Sequence, residues 1–245
     1  RYSIVLRYHS PSISATGSVN TKLGAIGSEM PVRKIPKNYR NVTGIAAHAK
    51  ADGLAAYEST LERDFITLLE FSPEVEAFEV QPVRLEWCDA AGSLRRYTPD
   101  TLVRFGRSSA GATPWLCEVK YRVDLAKDWH ELRPKFKAAV HFARCQGWRF
   151  RIITEQEVRT PKLENARFLL RYRNTIPDSD LMQVVDDGLQ EMRETTPAGL
   201  MQAIHRDEWN QARLIPVLWY MVATFQIGID LEQPLNMNSP IWWKP

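Results

Sequence analysis

The chain has 245 residues, 44% of them hydrophobic and 25% charged, with 32 basic against 29 acidic side chains for a formal net charge of +3. That length suits one large domain or two modest ones, and the balance excludes disordered, fibrous and strongly basic tail proteins. No run approaches the roughly 18 consecutive apolar residues of a membrane helix; the nearest, 214–225, reads as a buried helix. Cys88, Cys117 and Cys145 are odd in number and widely spaced, with no CxxC and no Cys/His pairing. They exclude a zinc ribbon and point to a reduced, cytoplasmic setting.

Residues 1–29 begin on Arg1, hold no sustained helix or strand period and lack the apolar core of a signal peptide. They read as a disordered or non-native leader, with Met30 as the natural start. A basic N-terminal arm follows at 30–56. Within it 31–50 carry Arg33, Lys34, Lys37, Arg40 and Lys50 and no acid, a charge run suited to DNA phosphates or to plain solvation.

From 57 the pattern is that of an α/β domain running to 173. In 57–71, Leu61, Phe65, Leu68 and Leu69 make a helical stripe, with Ser59 and Glu62 as a capping box. The alternation across 75–89 predicts two strand pieces broken at Pro82, and 94–105 a strand interrupted at Pro99. Residues 115–120, WLCEVK, pair back as a third strand. The segment 121–130 reads as irregular. A helix is predicted over 131–147, with Pro134 in its first turn and Gly147 at its end, then a strand at 148–154 that a helical crossover sets parallel to the third. The order is αβββαβ, the core of the PD-(D/E)xK nuclease fold. A further helix is predicted at 161–172.

Beyond 173 the period is helical at 178–194, at 196–204 with Thr196 as N-cap and Pro197 in the first position, and at 209–226. A hairpin closes the chain. Three helices and a hairpin, over 174–245, is winged-helix order.

The chemistry collects in the first domain. Glu118 and Lys120 are two apart on a strand and project from one face, while Val119 points to the core. Asp100 in RYTPD stands at the mouth of the neighbouring strand, and Glu62 reaches in from the helix. Acid, acid and lysine at this spacing form the PD-(D/E)xK pattern of phosphodiester-cutting enzymes. Hard carboxylate oxygens on Glu62, Asp100 and Glu118, with the Val119 carbonyl, would hold Mg2+, for which Mn2+ would substitute. Lys120 would orient the attacking water and stabilise charge on the phosphate. Each has a plainer reading: Glu62 as a cap, Asp100 as a turn residue, Lys120 as a solvated strand end. Gln81 is an auxiliary candidate, near the site or simply part of a bulge.

The strings YESTLERDFITLLEFSPEVEAFEVQP, RYTPDTLV and EVK resemble the TnsA endonuclease family of cut-and-paste transposons, over about 31–245. The resemblance sets the family's catalytic Glu on Glu62, its Asp on Asp100 and its Lys on Lys120. Glu118 stands where the family has Glu or Gln. It implies cutting of the 5′ ends of transposon DNA on the non-transferred strand, in the bacterial cytoplasm at the nucleoid. The partners implied are a TnsB-like transposase and a TnsC-like AAA+ regulator, the latter contacting the C-terminal domain. The acidic helix at 178–194 favours protein docking over DNA binding for that domain. The alternatives are a stand-alone restriction or repair nuclease with the same core, and a catalytically silent DNA-binding adaptor.

Overall fold

A computed structural model of the chain describes residues 7–8, 44–46, 48–53, 55–89, 92–106 and 112–245. Its contacts divide the chain into two compact units, 1–155 and 156–245. The basic residues Arg33, Lys34, Lys37 and Arg40 lie outside the described residues, as does the leader apart from Arg7–Tyr8.

The first unit begins with three short strands, β1 (Arg7–Tyr8), β2 (Gly44–Ala46) and β3 (Ala55–Tyr57), of which β2 and β3 pair antiparallel. The end of the segment read as an arm is therefore built into the fold. Lys50 donates its ammonium to the Ser72 carbonyl and its N–H to Glu70 Oε2, so it serves the far end of the next helix.

That helix, α1 (Thr60–Phe71), buries Leu61, Phe65, Ile66, Leu69 and Phe71. Leu61, Phe65 and Leu69 of the stripe seen in the sequence thus lie on its packed face, while Leu68 is half-buried. Four strands follow, β4 (Val75–Val80), β5 (Leu85–Cys88), β6 (Leu94–Tyr97) and β7 (Thr101–Phe105), then β8 (Trp115–Val119), α2 (Arg122–Cys145) and β9 (Arg149–Ile153). The central sheet has the order β4-β7-β8-β9. Its first two pairings are antiparallel and β8–β9 is parallel, as the α2 crossover requires.

The two prolines do more than interrupt strands. β5 and β6 leave the central sheet and pair with each other, with β1 at their edge. Pro82 and Pro99 lack the N–H that would continue a ladder, so both strands break beside the closing pair Val80↔Thr101. Gln81 makes the turn at φ +52°, a left-handed conformation that costs a non-glycine residue about 1–2 kcal/mol. The detached hairpin lays Leu85, Trp87 and Tyr97 against Leu102 and Leu116 of the sheet and Ala139, Phe142 and Ala143 of α2.

α2 starts at Arg122, so the expected irregular stretch over 121–130 is helix and Pro134 lies inside it. None of 122–131 is buried, and without an apolar stripe that half gave no periodic signal. Its first turn is capped from outside, the Arg122 N–H donating to Glu155 Oε2 at 3.0 Å. Pro134 is exposed, where water can satisfy the carbonyl it leaves without an N–H.

A short helix, α3 (Glu155–Val158), spans the division between the units. The second unit holds α4 (Pro161–Arg173), α5 (Ser179–Met192), β10 (Glu194–Thr195), α6 (Pro197–Ile204), α7 (Glu208–Ala223), β11 (Ile227–Ile229) and β12 (Ile241–Trp243). α4 falls here rather than with the first domain because it packs on α7, burying Leu163, Ala166 and Leu169. Thr196 caps α6 and Pro197 opens it, as the sequence indicates. The closing hairpin gains an unforeseen third strand: the order is β10-β12-β11, all antiparallel. Asn165 is 4% exposed. Its amide donates to the carbonyls of Leu231 and Gln233 at 2.8 Å and accepts from the Leu235 N–H, fixing the loop that enters β12.

Candidate active site

The sequence motifs meet at the end of the first unit's sheet where β4 finishes, β7 begins and β8 finishes. Glu62, Asp100, Glu118, Val119 and Lys120 all line one cavity of about 440 Å³, with Glu58, Arg84, Arg96, Tyr97, Thr98 and Lys135 completing the wall.

Glu62 sits in the first turn of α1, where it makes the cap foreseen for it and also lines the cavity. The Ser59 hydroxyl accepts the Glu62 N–H at 3.1 Å and donates to Glu62 Oε1 at 2.9 Å. Oε2 accepts the N–H of Glu58, not that of Ser59, at 2.8 Å. The cap therefore fixes the carboxylate that borders the cavity. Burial raises its pKa against these donors, and the charges of Glu58 and Glu118 add to the rise.

Asp100 stands where the β7–β8 ladder ends. Its N–H donates to the Cys117 carbonyl at 3.0 Å, one residue out of the register Thr101↔Cys117, and Pro99 before it has no N–H to continue the pairing. The Val119 N–H donates to Asp100 Oδ2 at 2.6 Å. The Asp100 carbonyl accepts the Gln81 N–H at 2.8 Å. Burial first, then the charges of Glu118 and Glu62, raise the Asp100 pKa well above the usual carboxylate range, although the Val119 N–H and Lys135 oppose the rise.

Glu118 is 4% exposed and has both oxygens engaged. Oε2 accepts the Tyr97 hydroxyl at 2.5 Å and Oε1 the Lys135 ammonium at 2.8 Å. Burial and the neighbouring carboxylates push the Tyr97 phenol well above its ordinary value, which keeps the donated proton on the ring. Lys120 follows the strand end, its N–H donating to the Ile153 carbonyl at 2.9 Å. Among the described residues its ammonium has no partner. Tyr121 then ties this strand end to α1, its hydroxyl 3.2 Å from Thr60 Oγ1.

Gln81 does not line the cavity but braces it. It is 9% exposed, its amide donates to Glu58 Oε1 at 3.4 Å, and its own Oε1 is buried with no hydrogen-bond partner among the described residues. It belongs to the strand break and touches the site through Glu58 and Asp100.

Sequence reasoning missed Glu58, Arg84, Arg96, Tyr97, Thr98 and Lys135. Lys135 left a faint trace: a lysine on the face of α2 that buries Leu132, Phe136 and Ala139. Arg84 and Arg96 lie on the outer face of the β5–β6 hairpin, where Arg96 pairs with Glu86 at 2.8 Å. Only the pairing of those strands brings them together.

The donors are hard oxygens from several carboxylates that raise one another's pKa, a charge excess that suits a divalent cation. Glu62, Asp100 and the Val119 carbonyl fit that role. Among the described residues, however, no group of three or more His, Cys, Asp or Glu side chains is placed to hold a metal ion together. Cys117 offers no nucleophile: it is buried, and its thiol is pushed up to about 12 by desolvation. Among the described residues no helix is long and apolar enough to cross a membrane.

Two family models match the chain. The TnsA-like endonuclease N-terminal model covers residues 72–155, and the TnsA endonuclease C-terminal model covers 157–231. A search of curated proteins finds no match.

Proposed function

Because the chain belongs to the TnsA endonuclease family, we propose that this nuclease cuts the 5′ ends of transposon DNA, on the non-transferred strand, at the cavity around Asp100. The reading takes the first unit as a PD-(D/E)xK core and is carried by one observation: Glu62, Asp100, Val119 and Lys120 border the same cavity, from α1, from just before β7 and from the end of β8.

A bound magnesium ion would neutralise the scissile phosphate and acidify the attacking water. Asp100, Glu62 and the Val119 carbonyl would hold it. The chain's own groups do the rest. Lys120, whose ammonium has no partner among the described residues, would orient the water and share the charge that builds on the phosphate. The Ser59 and Glu58 donors keep Glu62 from swinging away, and the Val119 N–H does the same for Asp100. The site's motif residues are all present, which argues against a silent adaptor.

The second unit's helices and small sheet agree with a winged-helix reading, and we assign it to protein docking. Asp178, Asp180, Asp187, Glu191 and Glu194 are exposed on or beside α5, a charge that repels phosphate. A TnsC-like AAA+ regulator is the partner proposed there, with a TnsB-like transposase cutting the other strand.

The test is strand-specific cleavage of end-labelled transposon DNA with both partners and Mg2+ or Mn2+ present. Nicks confined to the 5′ ends are expected. Unaided cutting of unrelated DNA by the chain alone would replace this with the stand-alone nuclease.

A further inference from the structure

Glu118 was expected to ligate the metal, yet its surroundings suit another task. Of the sequence-derived acids of the site it alone contacts a cation among the described residues: the Lys135 ammonium lies 2.8 Å from Oε1, and the Tyr97 hydroxyl occupies Oε2. Lys135 is held tightly in its turn. Its ammonium lies 4.6 Å from the centre of the Tyr97 ring and 5.2 Å from that of Phe136, and its side chain is 22% exposed. One anion and two aromatic faces therefore fix a long, flexible side chain, and its charge acts on Asp100. A divalent cation on Glu118 Oε1 would have to displace the ammonium or crowd against it, and like charges at that range repel strongly.

We infer that Glu118 is the buried anchor of Lys135 rather than a metal ligand, and that Lys135 is a second cationic group of the cavity that contacts a non-bridging phosphate oxygen of the DNA. This rests on the nuclease reading. It gives Glu118 a reason to be buried and gives the cavity two lysines, Lys120 from the strand end and Lys135 from the helix, both lining the same wall. Glu118 is then a positioning residue, acting on substrate only through Lys135.

The pair can be removed without changing net charge. In the full chain, Glu118→Gln with Lys135→Met deletes anchor and ammonium together, an exchange that buried ion pairs tolerate. Mn2+ binding, followed by electron paramagnetic resonance without DNA, should stay within about threefold of wild type, whereas Asp100→Asn should weaken it at least about tenfold. Lys135→Met alone leaves the Glu118 carboxylate without its ammonium and should tighten Mn2+. It should also lower the salt dependence of duplex binding by about one phosphate contact.

If the double variant loses Mn2+ as Asp100→Asn does, Glu118 is a ligand and the inference is overturned. An unchanged salt slope in Lys135→Met would remove the phosphate contact and overturn it too. If wild type takes up no Mn2+, or Asp100→Asn leaves uptake unchanged, the nuclease reading fails and this one with it.

Discussion

The carboxylate of Asp100 takes the N–H of Val119 at 2.6 Å, so the first acid of the motif is hydrogen-bonded to the backbone between its second acid and its lysine. Val119 itself is 6% exposed. Pro99 ends the ladder for want of an N–H, and the Asp100 side chain next to it accepts an N–H from the neighbouring strand.

Asp100→Asn should abolish cutting yet stabilise the metal-free protein near neutral pH. Its folded pKa lies above the unfolded one, so the folded state binds the proton more readily. The stability gained from that proton is complete below the unfolded carboxylate range and lost as pH rises through the folded value. The variant should melt a few degrees higher than wild type near pH 7, in chelator, with the gap closing in acid. An unchanged melting temperature at neutral pH would show that the buried charge carries no penalty.

Lys120→Ala should lower the rate of 5′-end cutting roughly 100-fold or more with both partners present. Folding should be untouched, since the ammonium has no partner among the described residues. The check is single-turnover cleavage beside a thermal melt, and wild-type rates would end the mechanism.

Gly228→Ala should destabilise the second unit. A Cβ there would come within 2.0 Å of Trp242 Nε1, a strand-borne indole packed over the glycine. Overpacking of this kind costs typically about 1–3 kcal/mol, readable as a lower urea midpoint.

Asn165→Ala should loosen the loop into β12. It leaves the carbonyls of Leu231 and Gln233 and the N–H of Leu235 without the bonds they make now. The expected loss is about 2–3 kcal/mol, with faster amide exchange over 231–235. Exchange unchanged from wild type would mean that water replaces the side chain at no cost.

Neutralising Lys34, Lys37 and Arg40 together should flatten the salt dependence of duplex binding more than deleting 174–245 does. Gel-shift titrations across salt decide it. A steep slope for the isolated C-terminal segment would instead assign DNA recognition to that unit.

What was legible in the sequence was local. Ser59 and Glu62 are three apart, Glu118 and Lys120 two apart, and Pro99–Asp100 adjacent, so backbone geometry alone predicts how each group presents itself. The central strands and the α2 crossover followed from alternation and period. Tyr97 was invisible and Lys135 left only its place on the apolar face of α2, because their partner, Glu118, is reached only through tertiary packing. The first turns of α2 bury nothing, so hydrophobic period could not reveal them. The separation of β5–β6 from the main sheet needed two prolines to act at the same level, which neither announces alone.

The Lys120 N–H rests on the Ile153 carbonyl, and Lys135 comes from the helix between them. A ribosome that has just passed Lys120 has already made every motif residue. Yet the chain at that point has neither the second lysine nor the strand that fixes the first. The strand that receives the Lys120 N–H is complete only once synthesis has passed Ile153, so a shorter copy carries the motif without that support.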